Sequence, residues 1–184
     1  MRIVAGSARG RTLKTPKRAD VIRPTADRVR ESIFNVLGQG CEGLRVLDLF
    51  SGTGALAFEA LSRGAARAVL VDSGNEAQAL ALENAEALGF TPQIELLRTR
   101  SERGIVTLHG RGARFELIFA DPPYAQNAIQ TLLDQLSKHP LLEANGRLVI
   151  EHSKHEPAPS GSGLFTQSDQ RVFGETVVTI FVLT

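Results

Sequence analysis

From residue 44 to residue 152, short and uniformly apolar runs alternate with segments of helical spacing, and this alternation leaves few folds open. The runs RVLDLF (45–50), AVLVD (68–72), IELL (94–97), ELIFAD (116–121) and RLVIEH (147–152) read as strands. Between them, GALAFEALSRG (54–64), NEAQALALENAEALGF (75–90), a weaker stretch around 105–108 and residues 125–139 carry helical periodicity, the last through Ile129, Leu132, Leu133 and Leu136. Strands apolar on both faces, separated by helices, belong to a parallel sheet covered on both sides, a doubly wound α/β arrangement. After the Pro/Gly/Ser loop EPAPSGSG (156–163), residues 166–183 read as two strands around Gly174, a hairpin adding an antiparallel edge.

The chain opens differently. Residues 1–30 carry nine Lys or Arg and two Asp, a net +7, whereas the remainder carries −6. A basic arm on a mildly acidic body points to a polyanionic partner; a solvated leader is the plainer alternative. Alternating runs at 2–4 and 11–13, split by AGSARG, predict a small hairpin. Residues 22–38 predict a helix with Thr25 as N-cap, Asp27 in the first turn, an apolar stripe of Val29, Ile33 and Leu37, and Gly38 as the stop. Residues 1–38 are thus expected to form a basic extension on a main domain at 39–184, the two making one compact unit. A chain of 184 residues, 42% of them hydrophobic, suits one core. The lone Cys41 rules out an internal disulfide and fits a reducing cytosol, as a free structural thiol. No apolar run suggests a signal peptide or a membrane span.

Two motifs carry the chemistry. The first strand leads into Asp48-Leu-Phe50-Ser51-Gly52-Thr53-Gly54 and then a helix, the place where such sheets bind ligands. Gly52 to Ala57 also satisfies the looser G-x-G-x-x-A dinucleotide fingerprint, and Asp72 at the end of the second strand suits ribose hydroxyls, so a nicotinamide- or flavin-linked oxidoreductase stays open. Asp48, however, is awkward beside a pyrophosphate and useful beside a cationic amino group such as that of S-adenosylmethionine. The second motif, Asp121-Pro122-Pro123-Tyr124, ends the fourth strand, which in this architecture adjoins the first. An exocyclic base amine is a poor nucleophile because its lone pair is delocalised. Asp121 and the Pro122 carbonyl can each accept one amine hydrogen, orienting the nitrogen and stabilising the charge that builds on it. The prolines stiffen the turn, and Tyr124 offers a stacking face for an extruded base.

These motifs, with the start Arg2-Ile-Val-Ala-Gly6, Arg9-Gly-Arg11, the block Arg23-Pro-Thr-Ala-Asp-Arg28-Val-Arg30-Glu31, Phe34-Asn35 and EALSRG, resemble the RsmD family of 16S ribosomal RNA guanine-N2 methyltransferases over the whole chain. The R-P-T-x-D-R-V-R-E block is the specific part. The resemblance implies a Rossmann-like class I methyltransferase sheet and S-adenosylmethionine as donor. The substrate it implies is 16S rRNA, in an assembled small-subunit particle, with no metal or membrane partner and a monomeric enzyme. Asp121 and Tyr124 become target-base residues, and Arg9, Arg11, Arg23, Arg28 and Arg30 become RNA contacts. Two departures touch the adenosine half of the site. Arg100 stands where relatives carry Asp or Asn, leaving Ser101 or a backbone carbonyl to meet the adenine, and Asp72-Ser73-Gly74 replaces Glu followed by an acid. The four histidines lack metal-ligand spacing and read as surface or turn residues. Rival readings are an adenine-N6 methyltransferase, which shares the Asp-Pro-Pro-Tyr motif, and a non-catalytic RNA-binding assembly factor.

Overall fold

Among the described residues the chain forms one eight-stranded sheet. The computed structural model describes residues 1–16, 24–122, 127–156 and 158–184, with the backbone alone for 24–26. Strands β1 (Arg45–Leu49), β2 (Arg67–Asp72), β3 (Ile94–Arg98), β4 (Phe115–Ala120) and β5 (Leu142–Ser153) are mutually parallel, and β1 lies between β2 and β4. The carboxyl ends of β1 and β4 are therefore neighbours, as the two motifs require. Helices α1 (Pro24–Val36), α2 (Ala55–Ser62) and α3 (Asn75–Leu88) pack on one face, around Ile33, Phe34, Ala57, Phe58, Ala81 and Phe119. Helices α4 (Ser101–Gly110) and α5 (Ala128–Lys138) cover the other, around Ile105, Leu108, Leu133 and Ile118.

The C-terminal hairpin joins in a particular order. Its second strand, β8 (Thr176–Leu183), pairs antiparallel with β5, while β7 (Phe165–Phe173) lies farther out and the short β6 (Gly161–Ser162) forms the edge. The sequences explain the order. TVVTIFVL is buried along six successive residues, whereas FTQSDQRVF is largely exposed and suits the outer position. Among the described residues no helix is long and apolar enough to cross a membrane.

The arm forms the expected turn, bridging Arg2 to Thr12, but it is built into the core: Ile3, Ala8 and Leu13 are buried with α1 and α2. A carboxylate holds it there. Glu59 of α2 is fully buried and accepts four hydrogen bonds. The Val4 and Ala5 amides reach it at 2.8 and 3.0 Å, and Nε of Arg30 and of Arg63 at 3.3 and 2.9 Å. Ser62 adds to the seam by accepting from the Ala8 amide at 2.9 Å and donating to the Ala5 carbonyl at 2.6 Å. Gly6 (φ +81°) is required at this approach, since a Cβ would stand 1.8 Å from the Ser62 carbonyl oxygen. Helix α1 begins at Pro24, one residue before the expected Thr25 cap, a position where proline gives up no intrahelical bond. Glu59→Ala strands two buried guanidinium groups and two amides. It should cost about 3–5 kcal/mol of unfolding free energy by urea denaturation. A loss below about 1 kcal/mol would mean that apolar contacts alone hold the arm.

Candidate active site

The loop after β1 is fixed by its own backbone. Phe50 takes φ 68°, a left-handed conformation that costs a non-glycine residue about 1–2 kcal/mol. Ser51 then donates its amide to the Val71 carbonyl at 3.0 Å, and Gly54 returns its amide to the Ser51 carbonyl at 2.7 Å. Gly54 has φ +80°, and a Cβ there would meet Phe58 at 2.5 Å and Leu70 at 2.8 Å, so the turn can enter α2 only through glycine. Asp72 braces the loop from β2: one carboxylate oxygen accepts the Gly52 amide at 2.9 Å and the other the Gly74 amide at 2.8 Å. Each oxygen keeps a lone pair for a ribose hydroxyl. The Thr53 carbonyl is held by Asn84 at 3.1 Å.

Strand alternation sends three carboxylates to the same side of the sheet. On β1, Val46 packs with the α1–α2 face, so Asp48 points there too; on β4, Leu117 and Phe119 do the same, followed by Asp121; on β5, Val149 does so, followed by Glu151. The three meet in one cleft with Arg30, Phe50, Ser51, Gly52 and Thr53. Asp48 is 3% exposed, and its pKa is pushed up to about 8, mainly by burial. The Ala57 amide, 3.3 Å away, partly offsets this, while the charges of Asp121 and Asp72 add to it. Asp121 stands at the mouth, reached by solvent, yet crowding by the protein raises its carboxyl to about 6. Glu151 rises to about 7, through burial first and the Asp121 charge second, with Arg30 opposing.

A cleft of this kind fits the amino-acid end of S-adenosylmethionine. Among the described residues Asp48 has no ion-pair partner, and an ammonium group would supply one. The Ser51 hydroxyl, buried and without a hydrogen-bond partner among the described residues, can donate to a carboxylate. A dinucleotide pyrophosphate would instead meet Asp48 as a like charge.

The other expected residues divide. Pro122 is buried beside Asp121, while Pro123, Tyr124 and Arg23 lie outside the described residues. Ser101 opens α4 beyond β3 and is buried; it does not line the cleft itself but sits along the same strand ends, where the Thr99 amide bonds the Asp72 carbonyl. The Arg100 side chain is 83% exposed, 3.9 Å from Glu102, and leaves the cleft clear. Arg9 and Arg28 are exposed, and Arg11 is exposed but bonded to the Ala87 carbonyl. The expectation for Arg30 is corrected: it is 3% exposed, and its guanidinium is engaged by Glu59, Asp27 and the Arg2 carbonyl, so it is a strut rather than an outward RNA contact. His152 is likewise no surface residue; it is 2% exposed and bonded to Thr179 at 2.8 Å. Cys41 is buried, and its thiol is pushed up to about 11 by burial, as suits an inert side chain. Glu59 and Glu151 are the two residues that the sequence motifs did not single out. Glu59 could have been found as the acid in α2 four residues before Arg63. A larger hollow, about 300 Å³, opens at the amino ends of the strands, far from the glycine loop, and its Arg45 and Arg111 are paired with Glu116 and Glu95.

Because the folded Asp48 pKa lies above its unfolded value, the associated stability is full below about pH 4 and lost as pH rises toward 8. Asp48→Asn should flatten that loss, leaving the ligand-free protein more stable at pH 8 by on the order of 3 kcal/mol while abolishing S-adenosylhomocysteine binding by calorimetry. An unchanged slope between pH 4 and 8 would contradict the assignment.

Comparison with known proteins agrees with this geometry. The family model described as "Conserved hypothetical protein 95" matches residues 1–182. The "Putative rRNA methyltransferase YlbH" of Bacillus subtilis (strain 168) is 36% identical over 98% of both chains. The "Ribosomal RNA small subunit methyltransferase D" of Escherichia coli (strain K12) is 28% identical over 98% of this chain and 89% of its own. The solved structure titled "Putative methyltransferase yhhF from Escherichia coli" superposes with a TM-score of 0.86 at 27% identity, covering 100% of this chain and 97% of its own. With its glycine loop, its strand-end acids and its docked arm all within the matched span, the chain belongs to the Conserved hypothetical protein 95 family, the RsmD family.

Proposed function

We propose that this chain is an S-adenosylmethionine-dependent methyltransferase acting on the exocyclic N2 amine of a guanine in 16S ribosomal RNA, within an assembled small-subunit particle. The observation that carries the reading is the shared cleft, which sets Asp48 and the Ser51–Thr53 backbone against Asp121. S-adenosylmethionine supplies an electrophilic methyl group. Asp48 neutralises the amino group of the donor, and the Ser51 hydroxyl takes its carboxylate. Asp72 and Ser101, along the ends of β2 and β3, serve the ribose and adenine. Asp121, ionised above about pH 6, accepts one hydrogen of the target amine, and the Pro122 carbonyl accepts the other. Together they aim the nitrogen at the methyl and stabilise the positive charge developing there. Pro123 and Tyr124 complete the turn and the stacking face in this reading. The exposed Arg9, Arg11 and Arg28 supply phosphate contacts.

Labelled S-adenosylmethionine and small-subunit particles lacking the mark test this directly. A nucleoside digest should yield N2-methylguanine. N6-methyladenine would favour the rival amine, and no label with folded enzyme would sink the proposal. Asp121→Ala should lower kcat by about 10²–10³-fold and leave S-adenosylhomocysteine binding intact. Reversing Arg9 and Arg28 to Glu should reduce the log–log salt slope of particle binding by about 0.7–0.9 for each phosphate no longer neutralised, with thermal unfolding unchanged.

A further inference from the structure

One acid in the cleft has no task in that scheme. Glu151 ends β5 beside Asp121: β4 and β5 are in register at Ala120 and Ile150, so the next residues of the two strands are neighbours at roughly the 4.8 Å strand spacing. Both side chains point to the α1–α2 face and line the same cleft. No ion pair accounts for Glu151 among the described residues, because the nearby cation, Arg30, is paired with Asp27 and Glu59. Burial and the neighbouring acid hold its carboxyl near 7, so placing it there carries a free-energy cost that a ligand contact would offset.

Among the four RNA bases, guanine alone sets a ring N–H donor, N1–H, next to an exocyclic amine. In adenine and cytosine the atom beside the amine is an acceptor. Two adjacent carboxylates match two adjacent donors, and they repel a base that presents a lone pair.

We propose that Glu151 selects guanine, its carboxylate accepting N1–H of the extruded base while Asp121 accepts a hydrogen of the adjoining N2 amine. The inference rests on the guanine reading above and adds the residue that enforces it. Sites that hydrogen-bond a substrate donor reject analogues lacking it far more strongly than apolar pockets do.

The test uses particles reconstituted with 2-aminopurine in place of the methylated guanine, once mapping of labelled ribonuclease fragments has located it. This base keeps the N2 amine and presents N1 as an acceptor. The wild-type enzyme should prefer guanine by about 100-fold or more in kcat/KM. Glu151→Gln, whose amide can donate to N1, should narrow the preference to about 10-fold or less, with S-adenosylhomocysteine affinity unchanged and the folded state no less stable to heat. The wild-type enzyme supplies a second measurement should the variant not fold. As pH rises through about 7, Glu151 ionises, and the guanine to 2-aminopurine ratio should rise. Asp121 from β4, Asp48 from β1, Arg30 from α1 and Met1 with its amino group from the arm line the same space, and the β8 residue paired with Glu151 is the uncharged Val178. These groups act on both substrates and cancel in the ratio. An equal preference in wild type and Glu151→Gln, or a ratio flat with pH, overturns the role of Glu151 while leaving N2-methylguanine as the product. A digest without N2-methylguanine removes both readings together.

Discussion

Four hydrogen bonds onto one fully buried carboxylate tie the N-terminal turn and α1 to α2. Glu59 on α2 takes two amides from the arm, one guanidinium from α1 and one from its own helix. Burying a charge is expensive unless its partners are complete, and here the partners come from three separate elements. Arg63 also lies 4.6 Å from the centroid of the Phe34 ring, which is packed against Phe119 of β4. This anchor and the buried Val29, Ile33 and Phe34 together hold α1 over the cleft, where Arg30 and Ile33 line it.

Charge is divided across the cleft with the same economy. The arm carries much of the positive charge of the chain, and the cleft beneath it carries three carboxylates on one face of the sheet. Each is held above its ordinary pKa by burial. The ligand-free cleft therefore favours the protonated form of these acids, and a donor's ammonium group and a base's polarised N–H groups would favour the ionised form from two sides. Binding and chemistry draw on the same stored electrostatic cost.

The parallel strands, the helices between them and the glycine loop were legible because each depends on local pattern: uniform apolarity, 3.6-residue spacing, and glycines after a strand. The hairpin was legible, its order in the sheet only through the contrast between TVVTIFVL and TQSDQRVF. What local pattern cannot give is the partner of a buried polar group. Arg30 sits among basic residues and reads as one more phosphate contact, yet Glu59, 29 residues away, takes its charge. His152 reads as a strand-end residue, and Thr179 of the last strand encloses it. Glu151 stood out only once β4 and β5 were in register, because its meaning lies in its neighbour across the sheet.

The place of β8 bears on how the chain reaches this state. The strand carrying residues 176–183 pairs with β5 and separates it from β7, so the interior of the sheet is closed by residues that follow both β5 and β7 in the chain. Until they arrive, the apolar edge of β5 and the Glu151 side of the cleft stand open, a template for any unpaired strand nearby. Assembly must wait for a contact distant in sequence, which slows it and makes the vacant edge the point most exposed to misassociation on the way to the native protein.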